Sequence, residues 1–417
     1  MVARDPSKVV AGDSSENLRA SGVTWARIFA VMHLIYADYA ATTPVDPRVV
    51  EAITPTLTEV YYNASSAHLG GMMANALVAK ARKRCAAPIG AQPDEIVFTS
   101  GATESINLAI QGLATLKQLQ RPDARRRIIS VRSEHSAVRD AVTRCTDLGY
   151  DVQWVSVDHQ GRVDLEHLAR LCTPDTLLVS VMMVNNETGV VQDIAAISAI
   201  AHAAGAVMMS DATQAYGKMP VNVDELGIDL MPWSGHKIYG PKGIGALYVR
   251  GHGDHAVTLE PMVVGGGQER GVRSGTMNVT GIVGLGAASE ISCADLESDA
   301  PRIRALRERF EVALRTLDGV EICGDGAPRG YNITNVVFHT MRVGDVLAGI
   351  PDVCCSRGSA CHGASTSPSA ALLAMGFSEA AAGNAARFSF GRFTTEADVD
   401  RLIAGITQTY AGLQSHT

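Results

Sequence analysis

The segment with the clearest chemical potential is Ser234-Gly235-His236-Lys237, which follows a predicted strand and leads into a glycine-rich turn. A lysine that is partly withdrawn from water can lose its proton and attack a carbonyl, because desolvation disfavours its charged form. Lys237 is therefore a candidate to carry an aldehyde cofactor as a Schiff base. The alternative is a polar loop with a solvated lysine, and this segment alone favours neither interpretation.

Three further groups of candidate residues follow predicted strands. The small residues 99–105 lead into a helix whose free N–H groups could hold a phosphate, or could form an ordinary helix cap. Asp211, with Gln214 three residues later, could pair with a protonated pyridine nitrogen or cap the next helix. His135 could stack on a ring and move protons, although a lone histidine near a helix start is more often structural.

A nucleophile of another kind lies near the C-terminus. Cys361 stands in the middle of a run of small residues, with Arg357 and His362 near enough in sequence to favour a thiolate. The reactive interpretation is preferred for this cysteine. Cys354 and Cys355 end a predicted strand, and there the preferred interpretation is packing.

The elements that must position these residues alternate along the chain. From about residue 94, short apolar runs alternate with helical stretches, which is typical of βαβ units and a mainly parallel sheet buried on both faces. In such sheets ligands bind beyond the carboxyl ends of the strands, where the candidates above lie. The predicted strands are 95–99, 127–131, 152–157, 177–184, 206–210 and 244–249, and the predicted helices are 104–119, 136–148, 165–172 and 194–204.

Beyond the predicted sheet, a glycine cluster at residues 265–276 permits close backbone approach to a ligand or another subunit, or forms a linker. A helical pattern at 303–317 and a strand pattern at 333–339 indicate a second, smaller unit. We expect a large domain over 48–294, a small domain made of 32–47 and 295–417 that carries Cys361, and a disordered extension without catalytic function over 1–31.

Composition limits the classes of function. The 417 residues are 46% hydrophobic and 19% charged, which indicates a globular protein. The net charge of −7 and the lack of a basic block disfavour direct nucleic-acid or anionic-membrane partners, and no apolar run is long enough to cross a bilayer. The eight cysteines lack the spacing of a zinc site or a disulfide scaffold. We therefore expect no metal and a reducing, cytoplasmic compartment.

Taken together, the motifs resemble those of the cysteine desulfurases, pyridoxal-phosphate enzymes of the class V aminotransferase group. The resemblance runs from about residue 36 to residue 392. It rests on residues 38–44, 99–105, 184–189, 211 with 214, 234–237, 270–276, 358–361 and 387–389. It implies an α/β protein with the type I pyridoxal-phosphate transferase fold, in which a mainly parallel large domain is joined to a smaller α+β domain.

The resemblance also implies pyridoxal 5'-phosphate as the cofactor and assigns residues to its ring. Lys237 would form the Schiff base and later move protons on the substrate. Asp211 would form a salt bridge with the pyridinium nitrogen and thereby keep the ring an electron sink. Gln214 would hydrogen-bond the phenolic oxygen, and His135 would stack on the ring and assist proton transfer. Asn186 would help to hold the ring and the substrate.

The cofactor phosphate has its own set of residues in the resemblance. Ala102 and Thr103 at the predicted helix start, together with Ser234 and His236, would bind it from one subunit. Thr276 would reach it from the partner subunit. That last contact requires a homodimer.

For the reaction, the resemblance implies that Arg387 grips the carboxylate of L-cysteine through two parallel hydrogen bonds, with Asn186 also on the substrate side. The Cys361 thiolate would attack the substrate sulfur, which leaves L-alanine and a Cys361 persulfide for a sulfur-acceptor protein. A loop of small residues suits a thiol that must approach the cofactor and then meet an acceptor.

Two departures from the family pattern concern loops. The family usually has proline after Asn63, and here Ala64 follows. The catalytic loop reads Cys361-His362-Gly363, and the pair Cys354-Cys355 precedes it. The acceptor pathway, which in this family is iron–sulfur assembly, tRNA thiolation or DNA phosphorothioation, therefore stays open.

Two other functions remain as alternatives. A selenocysteine lyase or another class V pyridoxal-phosphate enzyme would keep Lys237 without depending on Cys361. A sulfur-transfer scaffold that docks a partner, with little activity of its own, is disfavoured because every expected cofactor ligand is present.

Overall fold

A computed structural model describes residues 34–120, 125–357 and 368–414. The predicted extension over 1–31 and Cys361 lie outside these residues. The predictions that concern them therefore stay predictions.

The larger sheet has seven strands in the order β2-β8-β7-β6-β5-β3-β4. Every strand runs in the same direction except β8, which pairs antiparallel with both of its neighbours. The strands are β2 (Ile96–Thr99), β3 (Arg127–Val131), β4 (Asp151–Val155), β5 (Thr176–Ser180), β6 (Val207–Met209), β7 (Leu230–Ser234) and β8 (Gly245–Val249). The prediction of a mainly parallel sheet is confirmed.

Helices cover both faces of this sheet and bury its apolar side chains in two large clusters. The helices are α1 (Pro47–Thr58), α2 (Leu69–Ala86), α3 (Ala102–Gln120), α4 (Ser136–Arg144), α5 (Leu165–Leu171), α6 (Ile194–Ala203) and α7 (Val279–Ala294). All four predicted helices are present. The one predicted over 136–148 is shorter, because a tighter 3₁₀ turn, Cys145–Leu148, ends it before Gly149 in the left-handed conformation.

The strand predicted over 177–184 is also shorter than expected. It ends at Ser180, although residues 181–184 are all buried. An apolar run marks burial but does not by itself separate a strand from a buried irregular segment. Beyond Ser180 the chain leads to the turn at Asn185, whose neighbours Val184 and Asn186 line the cavity described below.

A second sheet of four strands forms the smaller unit, in the order β12-β13-β10-β9, with every pairing antiparallel. A separate two-stranded pairing joins β1 to β11 in parallel. The strands outside the larger sheet are β1 (Ile35–Tyr36), β9 (Val320–Ile322), β10 (Ile333–Phe338), β11 (Val353–Cys354), β12 (Ser356–Arg357) and β13 (Ala385–Ser389). The helices of this part of the chain are α8 (Leu296–Leu314), α9 (Val343–Ala348), α10 (Ala370–Ala374), α11 (Glu379–Gly383) and α12 (Glu396–Gln414). The proposed domain limits at 47/48 and 294/295 stay a prediction.

The segment that follows β1 lies between the two units. The Ala40 amide donates to Ser389 Oγ at 2.9 Å, which ties the segment to β13. Three residues further on, the Thr43 amide donates to the carbonyl of His236 at 2.9 Å. Because Lys237 is the next residue, this segment forms one wall of the site.

No single helix among the described residues is both long and apolar enough to cross a membrane. One bent pair, α7 with α8 at an angle of 72°, meets that criterion only through its combined length and composition.

Candidate active site

A cavity of about 520 Å³ opens at the carboxyl ends of the parallel strands. Strand ends, the segment after β1 and β13 of the small sheet all contribute to its lining. Ten of the residues predicted from the sequence line it, namely Ala102, Thr103, His135, Asn186, Asp211, Gln214, Ser234, His236, Lys237 and Arg387. The structure thus brings these ten together, and the role of each one stays a prediction.

Lys237 ends a short 3₁₀ turn, Gly235–Lys237, that directly follows β7. Its Nζ donates to the carbonyls of Ala40 and Ala41, at 2.7 Å in both cases. These carbonyls hold the amine at the cavity wall. The Lys237 amine is therefore held in place for a ligand that carries an aldehyde or ketone group.

Asp211 lies two residues beyond β6 and is buried. Its Oδ1 accepts from the Thr213 amide at 2.8 Å, so the local turn that was considered as an alternative is present as well. A buried carboxylate that lines a cavity suits a ligand with a cationic N–H group. Nearby, burial and then the charge of Asp211 raise the pKa of Glu134 well above its usual value.

Gln214 connects the segment after β1, through Ala40, to Lys218. Its Nε2 donates to the Ala40 carbonyl at 2.8 Å, the same carbonyl that accepts from Lys237. Its Oε1 accepts from Lys218 Nζ at 2.7 Å. The amide orientation of Gln214 is therefore set from both sides.

The predicted phosphate end lies at the start of α3. A Cβ on Gly245 would stand 2.6 Å from the Gly101 Cα, so glycine lets β8 pack directly against this turn. Glu104 accepts from the Ser100 amide at 2.7 Å and from Arg273 Nε at 2.7 Å, which holds the turn in place. Helix N–H groups that face the cavity suit an anionic group.

His236 and Ser234 complete this end of the cavity. The His236 Nδ1 lies 3.1 Å from Thr42 Oγ1, and Ser234 Oγ makes only a long contact of 3.5 Å with the Ile244 carbonyl. Burial, and then the charges of Lys237 and Lys242, lower the pKa of His236 to about 4. His236 is therefore neutral near pH 7, where it can donate one hydrogen bond.

His135 lies between β3 and α4 and caps that helix. Its Nδ1 accepts from the Ala137 amide at 3.1 Å. In the neutral ring this bond assigns the proton to Nε2. His135 therefore caps the helix, as the structural interpretation expects, and its ring also lines the cavity, as a functional role requires.

Arg387 is 2% exposed and lies at the end of the cavity that faces the small sheet. Its Nη2 donates to Asp38 Oδ1 at 2.8 Å and to Ser356 Oγ at 3.0 Å. Its Nη1 donates to the Asn186 carbonyl at 2.9 Å. Among the described residues its Nε has no hydrogen-bond partner, so this guanidinium has capacity left for a ligand carboxylate.

Thr276 is not among the residues that line the cavity. Thr276 is exposed and lines a smaller neighbouring pocket of about 190 Å³ with Ser100 and Gly243. Its predicted contact with a partner subunit stays a prediction. Cys361 lies outside the described residues, but the chain on both sides of that stretch is anchored: Ser356 bonds Arg387, and Ser369 Oγ donates to Glu187 Oε2 at 2.5 Å.

Sequence reasoning gave no role to several residues that shape this site. Asp38, which neutralises Arg387, and Ala40, whose carbonyl receives two bonds, lie in a motif that carried the resemblance without an assigned function. The motifs assign no role to Lys218. Its only signal in the sequence is its position four residues after Gln214.

Among the residues that the structure describes, one group of metal-ligating residue types lies elsewhere. His202, Asp229 and His255 place ligand atoms within 4.8 Å of one another, near the amino end of β7 and thus away from the cavity. The two imidazoles stack at 3.9 Å and 16°, and Asp229 is already bonded to Arg250 at 3.1 Å. Two parallel stacked rings cannot both direct an in-plane lone pair at one ion, so this arrangement does not form a metal site.

The fold is that of the type I pyridoxal-phosphate enzymes. A family model described as aminotransferase class-V matches residues 35–402. The chain is 44% identical over 383 residues to the cysteine desulfurase IscS of Klebsiella pneumoniae subsp. pneumoniae, an alignment that covers 91% of this chain and 93% of the relative. The chain belongs to the class-V aminotransferase family, in its cysteine desulfurase group, and the predicted fold class and family are confirmed.

Two further similarities agree with this placement. The mitochondrial cysteine desulfurase of Eremothecium gossypii is 45% identical over 375 residues, which cover 90% of this chain and 75% of the relative. A solved structure titled NifS-like protein superimposes with a TM-score of 0.83 at 35% identity, and covers 91% of this chain and 99% of that one.

Proposed function

We propose that this chain is a pyridoxal-phosphate-dependent cysteine desulfurase that converts L-cysteine to L-alanine and leaves the sulfur on Cys361 as a persulfide. The observation that carries the proposal is the cavity, in which ten residues predicted from separate motifs meet. The high identity to named cysteine desulfurases over most of the chain supports the same activity.

The residues of the cavity fit the cofactor of this family. The buried carboxylate of Asp211 suits the ring nitrogen, the Gln214 amide suits an oxygen substituent, and the start of α3 suits a phosphate. Pyridoxal 5'-phosphate, when bound, supplies an aldehyde for the lysine and an electron sink for the substrate. Lys237, Asp211, Gln214 and His135 would hold the ring, and Ala102, Thr103, Ser234 and His236 would hold the phosphate.

The protein side chains then have distinct tasks. Arg387 would bind the substrate carboxylate in its guanidinium fork, beside Asn186. Lys237 Nζ would take the proton from the substrate Cα and later return one, since it is the amine held at the cavity wall. His135 would donate through Nε2, because its Nδ1 is occupied by the helix cap.

Sulfur transfer balances without an external oxidant. A bond forms between the Cys361 sulfur and the substrate sulfur, and the bond between that sulfur and the substrate Cβ breaks. The carbon skeleton takes up a proton at Cβ and leaves as L-alanine. The enzyme keeps one sulfur atom as a persulfide, which a thiol of an acceptor protein can then attack.

We further propose a homodimer in which Thr276 reaches the phosphate of the partner subunit. Apolar side chains at the end of α1 and the start of α2 support an interface, since Tyr61 is 70% exposed and Leu69 is 73% exposed. Leu57 and Met72 lie exposed in the same stretch. Sedimentation velocity should give twice the monomer mass, and a monomer that binds the cofactor with full affinity would contradict the proposal.

A cytoplasmic location is the proposed compartment. The seven cysteines that the structure describes are all free thiols, as expected in a reducing environment. The acceptor is proposed to be a protein with a reactive thiol. It can be trapped as a mixed disulfide with the persulfidated enzyme and identified by mass spectrometry.

The decisive experiment compares Cys361→Ser with wild type in alanine release from L-cysteine and from selenocysteine. We expect the variant to lose turnover of cysteine. Cys172→Ser, which changes a partly buried thiol elsewhere, is the matched control and should keep full activity. Unchanged cysteine turnover by Cys361→Ser would contradict the persulfide mechanism, and activity confined to selenocysteine would favour the lyase.

The scaffold alternative has its own test. Purified protein should show the yellow colour of bound cofactor, or acquire it when pyridoxal 5'-phosphate is added. A protein that takes up none would instead support a docking role without chemistry.

A further inference from the structure

Lys218 is a buried lysine for which the proposed reaction has no use. It is 7% exposed and lies in the turn that follows Asp211, seven residues further along the chain. Burial, and then the charges of Lys237 and Arg387, lower its pKa to about 7. A side chain that is costly to bury normally has a specific partner, and here the partner is Gln214.

The hydrogen-bond partners of Gln214 determine which way its side-chain amide is oriented. In its charged form Lys218 can only donate, and its Nζ donates to Gln214 Oε1 at 2.7 Å. A backbone carbonyl can only accept, so the amide NH₂ must face Ala40, at 2.8 Å. The two partners lie on opposite sides of the amide, and each enforces the same orientation.

The NH₂ group of Gln214 carries a second hydrogen. Gln214 lines the cavity, and the bond to Ala40 uses one of its two donors. The second donor is therefore available to an acceptor on the cavity side. Rotation of the amide by half a turn would bring its oxygen against the Ala40 carbonyl oxygen, which is repulsive.

We propose that Lys218 is a positioning residue, which holds the amide of Gln214 through Oε1 so that its NH₂ group donates to an oxygen of the bound cofactor. This inference rests on the proposed function, because that oxygen is the phenolic oxygen of pyridoxal 5'-phosphate. The Ala40 carbonyl extends the effect to Lys237, since it accepts hydrogen bonds from both Gln214 and Lys237. Lys218 thus acts on the cofactor without touching it.

The test measures cofactor binding instead of turnover. Cofactor-free protein is titrated with pyridoxal 5'-phosphate, and both the dissociation constant and the visible absorbance maximum are recorded. Lys218→Met keeps the apolar stem and removes the donor. We expect about three- to tenfold weaker binding and a shifted maximum, because one hydrogen bond to the cofactor loses its fixed geometry. Lys83→Met, at an exposed site, is the matched control and should match wild type.

A double-mutant cycle separates positioning from a general structural effect. If Lys218 acts through Gln214, adding Lys218→Met to Gln214→Leu should weaken binding no further. Effects that multiply in the double variant would overturn the proposal. So would a Lys218→Met variant that binds with the affinity and the spectrum of Lys83→Met.

A second variant covers the case in which Lys218→Met does not fold. Gln214→Glu would form an ion pair with Lys218 and would lack the NH₂ donor. We expect the ion pair to keep the variant folded, although one carboxylate oxygen then faces the Ala40 carbonyl, and we expect its cofactor affinity to fall at least about threefold. If Gln214→Glu binds the cofactor as tightly as wild type does, the inference about Lys218 is overturned and the proposed function is not. If the wild-type protein itself takes up no cofactor, the proposed function is overturned.

Discussion

The two ends of the cavity are constructed differently. At the cofactor end, Asp211 and Lys237 lie two and three residues beyond β6 and β7, so the hydrogen-bonded sheet fixes where they stand. At the carboxylate end, Arg387 lies inside β13 of the smaller sheet and is held by Asp38 and Ser356. The first end depends on backbone geometry, and the second depends on the pairing of charges.

This difference indicates how each end responds to a ligand. Backbone turns that follow parallel strands do not rearrange easily, so the cofactor end is preorganised. The guanidinium of Arg387 already has a carboxylate partner, and a substrate carboxylate must share the guanidinium with Asp38 or displace it. Substitutions at the first end should therefore abolish chemistry, while those at the second should alter binding and stability.

The largest effect is expected at the cofactor end, from Lys237→Ala. No other described lysine is held by the Ala40 and Ala41 carbonyls, so the variant loses both the attachment of the cofactor and the proton carrier. We expect alanine formation to fall by at least about 10⁴-fold. The assay measures alanine released by the reconstituted variant, with Lys83→Ala as the exposed control. Near-normal alanine formation would refute the assignment.

A smaller effect is expected at the carboxylate end, from Arg387→Lys. Lysine keeps the charge but loses the planar fork that can bond a carboxylate twice. We expect the KM for L-cysteine to rise about tenfold or more, with a smaller change in kcat. Steady-state kinetics measure both, and Arg309→Lys, in an exposed ion pair, should behave as wild type. A loss confined to kcat would show that Arg387 does not bind the substrate carboxylate.

Asp38→Asn separates stability from binding at this end. The change removes the negative charge that faces the buried Arg387 guanidinium and leaves a weaker amide acceptor. We expect the free energy of unfolding to fall by about 2 kcal/mol, without a rise in the KM for L-cysteine, because the guanidinium then has less competition. Urea unfolding of the cofactor-free protein measures the first quantity. An unchanged midpoint would mean that the pair contributes nothing to folding.

The smallest effect concerns pH at the cofactor end. The pKa of His236 is about 4 in the folded protein and near 6.5 when unfolded, so between these values the unfolded state binds more protons. Stability is therefore lost as the pH falls from 6.5 toward 4. Because the ring is partly exposed, we expect about 1 kcal/mol between pH 7 and pH 5. Urea midpoints at both pH values should differ less in His236→Asn, and equal differences would contradict this assignment.

The contrast also explains what the sequence could predict. Lys237, Asp211 and His135 were found from local patterns, since each follows a strand and the carboxyl ends of parallel strands share one edge. Arg387 is in the middle of a strand of another sheet, where no local rule indicates a ligand. Only the resemblance to a family pointed to it.

Buried charges were the least predictable part of the site. Lys218 and Asp38 acquire their roles from partners that the fold supplies, Gln214 for the first and Arg387, 349 residues away, for the second. Sequence spacing gives only a weak signal for the first pairing, four residues apart, and none for the second. The strand predicted over 177–184 is confirmed as far as Ser180, and its last four residues are buried without continuing the strand, because a run of apolar residues indicates burial alone.

The segment after β1 has a consequence for the order in which the protein is made. β1 is the first strand described along the chain, yet it pairs with β11, and the Ala40 amide bonds Ser389. A ribosome delivers these partners only after every strand of the larger sheet has been made. Until then the Ala40 carbonyl cannot be in place for Lys237 and Gln214. We therefore expect the nascent chain to acquire its cofactor only once β13 has left the ribosome, and not while its larger sheet is being translated.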